Sequence, residues 1–163
     1  MPDVPDLDDG RTPRRSLVAL AAAVTGIVLC WVLLMPPGSG PDEQSHLTRA
    51  GAVIRGELDD AGTFLLPDNY RLPEPACYAF QPTVPVSCAP IPERTGVDVE
   101  LATRADEYPL WGHLAVGIPT VLPGLEPVWW ARLAGGVLAA ASVVAALSVS
   151  GRRAHGLVGA SCL

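Results

Sequence analysis

The chain has 163 residues, is 49% hydrophobic with mean hydropathy +0.31, and carries a formal charge of −6. This balance fits a membrane protein with a large polar loop better than a soluble domain. It contains no lysine and no basic stripe to neutralise phosphates, which argues against a nucleic-acid partner.

Residues 1–15 carry four Asp and three Arg without apolar periodicity, and read as a disordered cytoplasmic tail. Residues 16–35 are apolar and follow Arg14 and Arg15. As a helix they reach roughly 30 Å, the thickness of the hydrocarbon core. They are longer than a usual signal-peptide core and no small-x-small site follows Met35, so an uncleaved anchor is expected over a cleaved signal. Leu29 is too bulky for a lipobox ending in Cys30. Pro36-Pro37-Gly38-Ser39-Gly40 then stops the helix.

Residues 36–127 form the expected extracytoplasmic loop. Through residue 128 this stretch holds thirteen Asp and Glu against five Arg, a net charge of −8. An amphipathic helix is predicted over 41–58, with Pro41 at its first position and Asp42 and Glu43 at its positive end. Leu47, Ala50, Gly51, Ile54 and Leu58 make its apolar face, turned to the membrane surface or to other helices. Residues 59–107 are proline-rich and read as loop. Within them the 77–88 loop is bounded by Cys77 and Cys88. Outside the cell these would oxidise to a bridge contributing roughly 3 kcal/mol, with two free thiols as the alternative.

Residues 108–125 are apolar but broken by glycine and proline, which predicts an interfacial or re-entrant segment. Residues 128–149 form the second membrane helix, with Trp129 and Trp130 at headgroup level and Gly135 and Gly136 offering a small packing face. Residues 150–163 read as a cytoplasmic turn and the start of a truncated third helix. The fold class is therefore an all-α membrane protein: two transmembrane helices plus the start of a third, and a large outer loop. Arginines lie on the side away from the loop, at 14, 15, 152 and 153, which places both termini in the cytoplasm.

The cluster Asp42-Glu43-Gln44-Ser45-His46-Leu47-Thr48-Arg49 is where chemistry is most expected. On a helix Asp42, Glu43, His46 and Arg49 share a face. Asp42 can bind a divalent cation or take a proton from a hydroxyl, with Glu43 and His46 in support. Arg49 can hold a phosphate. The plainer reading is a capped helix with a solvated face. Arg132, one turn into the second membrane helix, either snorkels or holds a lipid phosphate. His113 reads as a structural histidine ahead of a ligand. No P-loop, dinucleotide fingerprint, nucleophile elbow or complete metal quartet is present.

Pro41-Asp42-Glu43-Gln44-Ser45-His46, then Arg49-Ala50 and Arg55-Gly56-Glu57-Leu58, resembles the start of the domain-of-unknown-function 2142 family of bacterial membrane proteins. The Cys77–Cys88 loop, Tyr108-Pro109-Leu110-Trp111 and Arg132-Leu133 are similar to the same family over residues 16–163. Gln44 and Leu110 stand where the family often has proline, and the family is polytopic. The layout is also similar to C-type integral-membrane glycosyltransferases, which use polyprenyl-phosphate sugars. The resemblance implies the N-terminal portion of a multi-pass protein of the bacterial plasma membrane, N-terminus cytoplasmic, working with other membrane helices in cell-envelope assembly. By analogy Asp42 would be base or metal ligand, Glu43 and His46 would support it, and Arg132 would meet the lipid phosphate. The rival expectation is a non-enzymatic membrane hairpin that presents the acidic, disulfide-stapled loop to a partner.

Overall fold

A computed structural model describes residues 12–59, 62–74, 77–78, 81–105 and 107–160. Most of the expected tail, residues 1–11, and the last three residues lie outside this set. Four α-helices and two strands are described: α1 (Thr12–Leu34), α2 (Glu43–Ile54), β1 (Thr63–Pro67), β2 (Asp98–Ala102), α3 (Leu110–Gly117) and α4 (Pro127–Ala160). The chain divides into two compact units. One is the outer unit, Trp31–Gly135; the other holds α1 up to Cys30 together with α4 from Gly136 onward.

The all-α expectation needs one correction, because the outer unit contains a small antiparallel sheet. β1 pairs with β2 in the register Thr63↔Ala102 to Pro67↔Asp98. Each strand is five residues long, with Phe64 and Leu66 buried on β1 and Leu101 buried on β2. That is the period of two expected when one face of a sheet meets a core. The strands lie far apart in sequence and no tight turn joins them, so the local hairpin signal is missing.

The core joins Leu47 and Ala52 of α2, Phe64 and Leu66 of β1, Tyr70 and Leu72, Leu101 of β2, and Val128 of α4. α2 is shorter than the predicted 41–58 and is buried from Leu47 to Val53. It is therefore a core helix enclosed by protein on more than its apolar face, and Leu58 lies beyond it, exposed. Gln44 locks its start to the segment below: its amide accepts from the Leu72 N–H at 2.6 Å and donates to the Tyr70 carbonyl at 3.0 Å. α3 crosses α2 so closely that a Cβ on Gly117 would stand 2.8 Å from the Ala50 carbonyl oxygen. Only glycine permits that approach, and the approach carries His113 onto α2.

Cys77 and Cys88 form a disulfide with their Cα atoms 6.0 Å apart. The loop they close is tied back to the turn after α1, where the Tyr78 hydroxyl donates to the Gly38 carbonyl at 3.0 Å. Gly38 has φ +83°, and a Cβ there would sit 2.5 Å from the Pro73 carbonyl oxygen, so backbone conformation and space both require glycine.

Of the two expected membrane spans, one helical stretch among the described residues is long and apolar enough to cross a bilayer: Pro127–Val149, only 11% buried. The apolar part of α1, Val18–Leu34, is a shorter apolar helix, and Arg14 and Arg15 stand in the first turn of α1. The turn expected after residue 149 is replaced by continuous helix to Ala160. Residues 150–160 contain no proline, and their glycines alone do not end a helix.

Candidate functional site

The site is built where α2 begins. Asp42 occupies the N-cap position of α2 but makes no side-chain cap bond. Its carboxylate instead contacts His46 one turn on, with His46 Nε2 3.2 Å from Asp42 Oδ2. His46 then reaches across to α3: its Nδ1 lies 3.3 Å from His113 Nε2, and the two rings stack with centroids 5.5 Å apart. Tyr108 meets the His46 ring edge-on at 5.0 Å. The result is a chain from solvent to core, with the side chain of Asp42 67% exposed, that of His46 37% exposed, and His113 4% exposed.

The protons in this chain follow from its ends. Burial, then the neighbouring His46, with Arg49 further out, push the His113 pKa below its ordinary value of 6.5, against a weaker opposing pull from the Pro109 carbonyl. His46 Nδ1 and His113 Nε2 share one proton across their contact, and His46 Nε2 faces the Asp42 carboxylate. Both nitrogens of His46 are thereby engaged, and the group left to act on a substrate is the Asp42 carboxylate.

Glu43 and Arg132, two further residues singled out from the sequence, are brought together away from this chain. Arg132 Nη2 donates to Glu43 Oε2 at 2.9 Å and Arg132 Nε donates to Glu43 Oε1. The other N–H groups of Arg132 go to the carbonyls of Val32, Met35 and Pro36. All five guanidinium donors are therefore satisfied by protein. Three of the acceptors are carbonyls at the C-terminal end of α1, which lack partners within the helix and carry its negative partial charge. Trp31 and Trp129 cover the guanidinium, with ring centroids 5.8 and 5.4 Å away. Glu43 also accepts from the Gly38 N–H at 2.8 Å. One buried ion pair thus fixes the end of α1, the start of α2 and the start of α4.

Arg49 is buried as well. It donates to the Asp59 carbonyl at 2.7 Å and lies over the Phe64 ring. Neither Arg49 nor Arg132 presents its guanidinium to solvent. Among the described residues no three His, Cys, Asp or Glu side chains converge as a metal-ligand group.

A second feature lies on the far side of the sheet. The bonds Thr103 N–H to Gly62 O and Asp68 N–H to Val97 O flank the ladder, so Phe64–Leu101 and Leu66–Val99 are its hydrogen-bonded pairs. Glu100 and Ala102 must then direct their backbone groups to the open edge of β2. That edge faces a groove of about 790 Å³ lined by Glu74, Pro73, Pro90, Pro92 and Glu100. Nearby, Asp68 accepts from the Thr95 N–H, the Thr95 hydroxyl and the Gly96 N–H. Burial raises its pKa, but these bonds and the Arg94 charge outweigh burial and hold it below 3.8.

The His46–His113 contact joins residues 67 positions apart, and no sequence pattern announced it. Tyr108 is the other residue at this site that spacing did not find. The chain matches no protein-family model, no curated protein and no solved structure.

Proposed function

We propose that the chain is the N-terminal part of a multi-pass bacterial plasma-membrane protein that transfers sugar from a polyprenyl-phosphate donor in cell-envelope assembly. The observation that carries this reading is the solvent-facing Asp42 carboxylate held by His46, which is itself held by buried His113. The resemblance to the domain-of-unknown-function 2142 family and the layout of C-type glycosyltransferases support it. In this reading Asp42 takes the proton from an acceptor hydroxyl as its oxygen attacks the anomeric carbon. The bond from that carbon to the phosphate oxygen breaks, and polyprenyl phosphate leaves with the electron pair. His46 orients the carboxylate and spreads its charge. Glu43 and Arg132 act as scaffold, and the donor phosphate is met by groups other than Arg49 and Arg132.

The test is transfer of labelled sugar from a polyprenyl-phosphate donor in membranes that contain the protein. Asp42→Asn should lower transfer by about 10²–10⁴-fold, the usual contribution of a positioned base, while insertion stays intact. His46→Gln should cost less. Transfer that survives Asp42→Asn removes Asp42 from the chemistry.

The acidic groove beside the open edge of β2 favours a second reading, a non-enzymatic module. There an extended segment of a basic partner would add a strand to β2. Co-purification lost on substituting Ala102→Pro, with transfer absent throughout, would favour it.

A further inference from the structure

α3 and the 3₁₀ turn that continues it, Ile118–Val121, have their polarity inverted. The buried side is small or polar: His113, Gly117 and Thr120, at spacings of four and three. Thr120 is held there by its hydroxyl, which meets the Tyr70 hydroxyl at 2.7 Å. The exposed side is apolar: Trp111, Leu114, Ile118, Val121, Leu122 and Leu125. Trp111, Leu114, Ile118 and Val121 follow at steps of three, four and three along α3 and the 3₁₀ turn, and Leu122 and Leu125 continue the exposed apolar surface in the bend that follows. Trp111 is 75% exposed and Ile118 61%. No Asp, Glu, Lys or Arg occurs between Leu110 and Leu125, while Glu107 and Glu126 flank the stretch.

We infer that this stripe lies in the lipid headgroup and upper acyl region, docking the outer unit on the membrane as an in-plane helix. Water is a poor match for a continuous apolar stripe of this kind. Two observations name lipid as the occupant. The stripe ends at Leu125, two residues before Pro127, where the one helix long enough to span begins. Exposed Tyr108 stands before it, exposed Trp111 opens it and partly buried Trp130 follows it, aromatic residues of the kind enriched at a membrane–water interface. The same geometry decides between the two forms expected from sequence. Packing of His113, Gly117 and Thr120 against α2 and Tyr70 keeps the segment on the outer unit, which favours the interfacial form over the re-entrant one. The inference rests on α4 crossing the membrane and not on the transfer chemistry.

The test uses the full chain in phosphatidylcholine vesicles, with Cys30→Ser and Cys162→Ser so that neither cysteine outside the bridge competes for label. A nitroxide is placed at Ile118→Cys and, separately, at Val121→Cys. Val143→Cys in α4 and Asp98→Cys on β2 mark lipid and water. Collisions with oxygen and with a neutral nickel chelate are then measured. The expected result is an oxygen-to-nickel ratio at 118 and 121 several-fold above that at 98 and close to that at 143. Water-like values at 118 and 121 with a lipid-like 143 overturn the docked face alone. A water-like value at 143 overturns the span and the face together. Low collision with both reagents at 118 and 121 shows protein covering the stripe, either a second copy or another helix, and overturns lipid as the occupant.

Discussion

The outer unit and the helical unit treat the same residue types in opposite ways. In the outer unit Leu47, Leu66 and Tyr70 are at most 3% exposed, and the buried charges of Arg132 and Glu43 are matched atom for atom. In the helical unit Val18, Ile27, Leu29, Val137, Leu138 and Val143 are exposed. The first pattern is that of a domain folded against water, and the second is what an apolar solvent favours. Residues 31–35 and 127–135 belong to the outer unit, and here the two regimes meet at one arginine. Arg132 donates to the carbonyls of Val32, Met35 and Pro36 at and just beyond the end of α1.

Breaking that knot should have the largest effect. Arg132→Leu leaves the Glu43 carboxylate with only the Gly38 N–H and the Pro36 carbonyl with only the Ser39 N–H, removes the Arg132 bonds to the Val32 and Met35 carbonyls, and should cost the outer unit about 3–5 kcal/mol. Near-UV circular dichroism of thermal unfolding in detergent would read it. The double change Arg132→Leu with Glu43→Leu should recover part of the loss, and equal losses would show that the pair does not act as a unit. Removing the bridge with Cys77→Ser and Cys88→Ser should cost about 3 kcal/mol in the same measurement, and should leave the helical content of α1 and α4 unchanged. Gly38→Ala places a side chain at positive φ against the Pro73 carbonyl and should cost about 1–2 kcal/mol. No measurable loss would mean that the turn after α1 can relax.

The smallest effect is the one set by pH. The folded pKa of His113 lies below 6.5, so the unfolded chain takes up its proton first. The stabilisation from a neutral, buried His113 is complete above pH 6.5 and declines as the pH falls toward the folded value. His113→Asn should remove this first acid step. Asp68, held below 3.8, adds a second step at lower pH, where stability is lost as its carboxylate protonates.

The helices were legible because their signals are local. Pro36-Pro37 marks the end of α1, the 3.6-residue spacing marks α2, and the unbroken apolar run marks α4. The sheet was not legible, since β1 and β2 are five residues each, are separated by a proline-rich stretch, and become strands only by pairing over α2. The candidate site was half legible. Asp42 and His46 are one helical turn apart and could be read together, but His113 joins them only because Gly117 lets α3 approach α2. The roles of Glu43 and Arg132 were hidden for the same reason: Glu43 was read as a helix cap or a support for Asp42 and Arg132 as snorkelling or phosphate-holding, while their pairing spans 89 positions and depends on three chain segments converging. The inverted polarity of α3 is written in its spacing, yet which side is buried emerges only from the packing.

The central claim is that the outer unit sits beyond a membrane that α4 crosses. Two proteins with one reactive cysteine each, in a Cys30→Ser, Cys162→Ser background that keeps the Cys77–Cys88 bridge, test it most directly, Glu100→Cys on β2 and Ala154→Cys after the span, probed in intact cells with a membrane-impermeant maleimide. The account predicts labelling at 100 without permeabilisation and at 154 only after it. Labelling of both positions in intact cells, or of 154 alone, would contradict it.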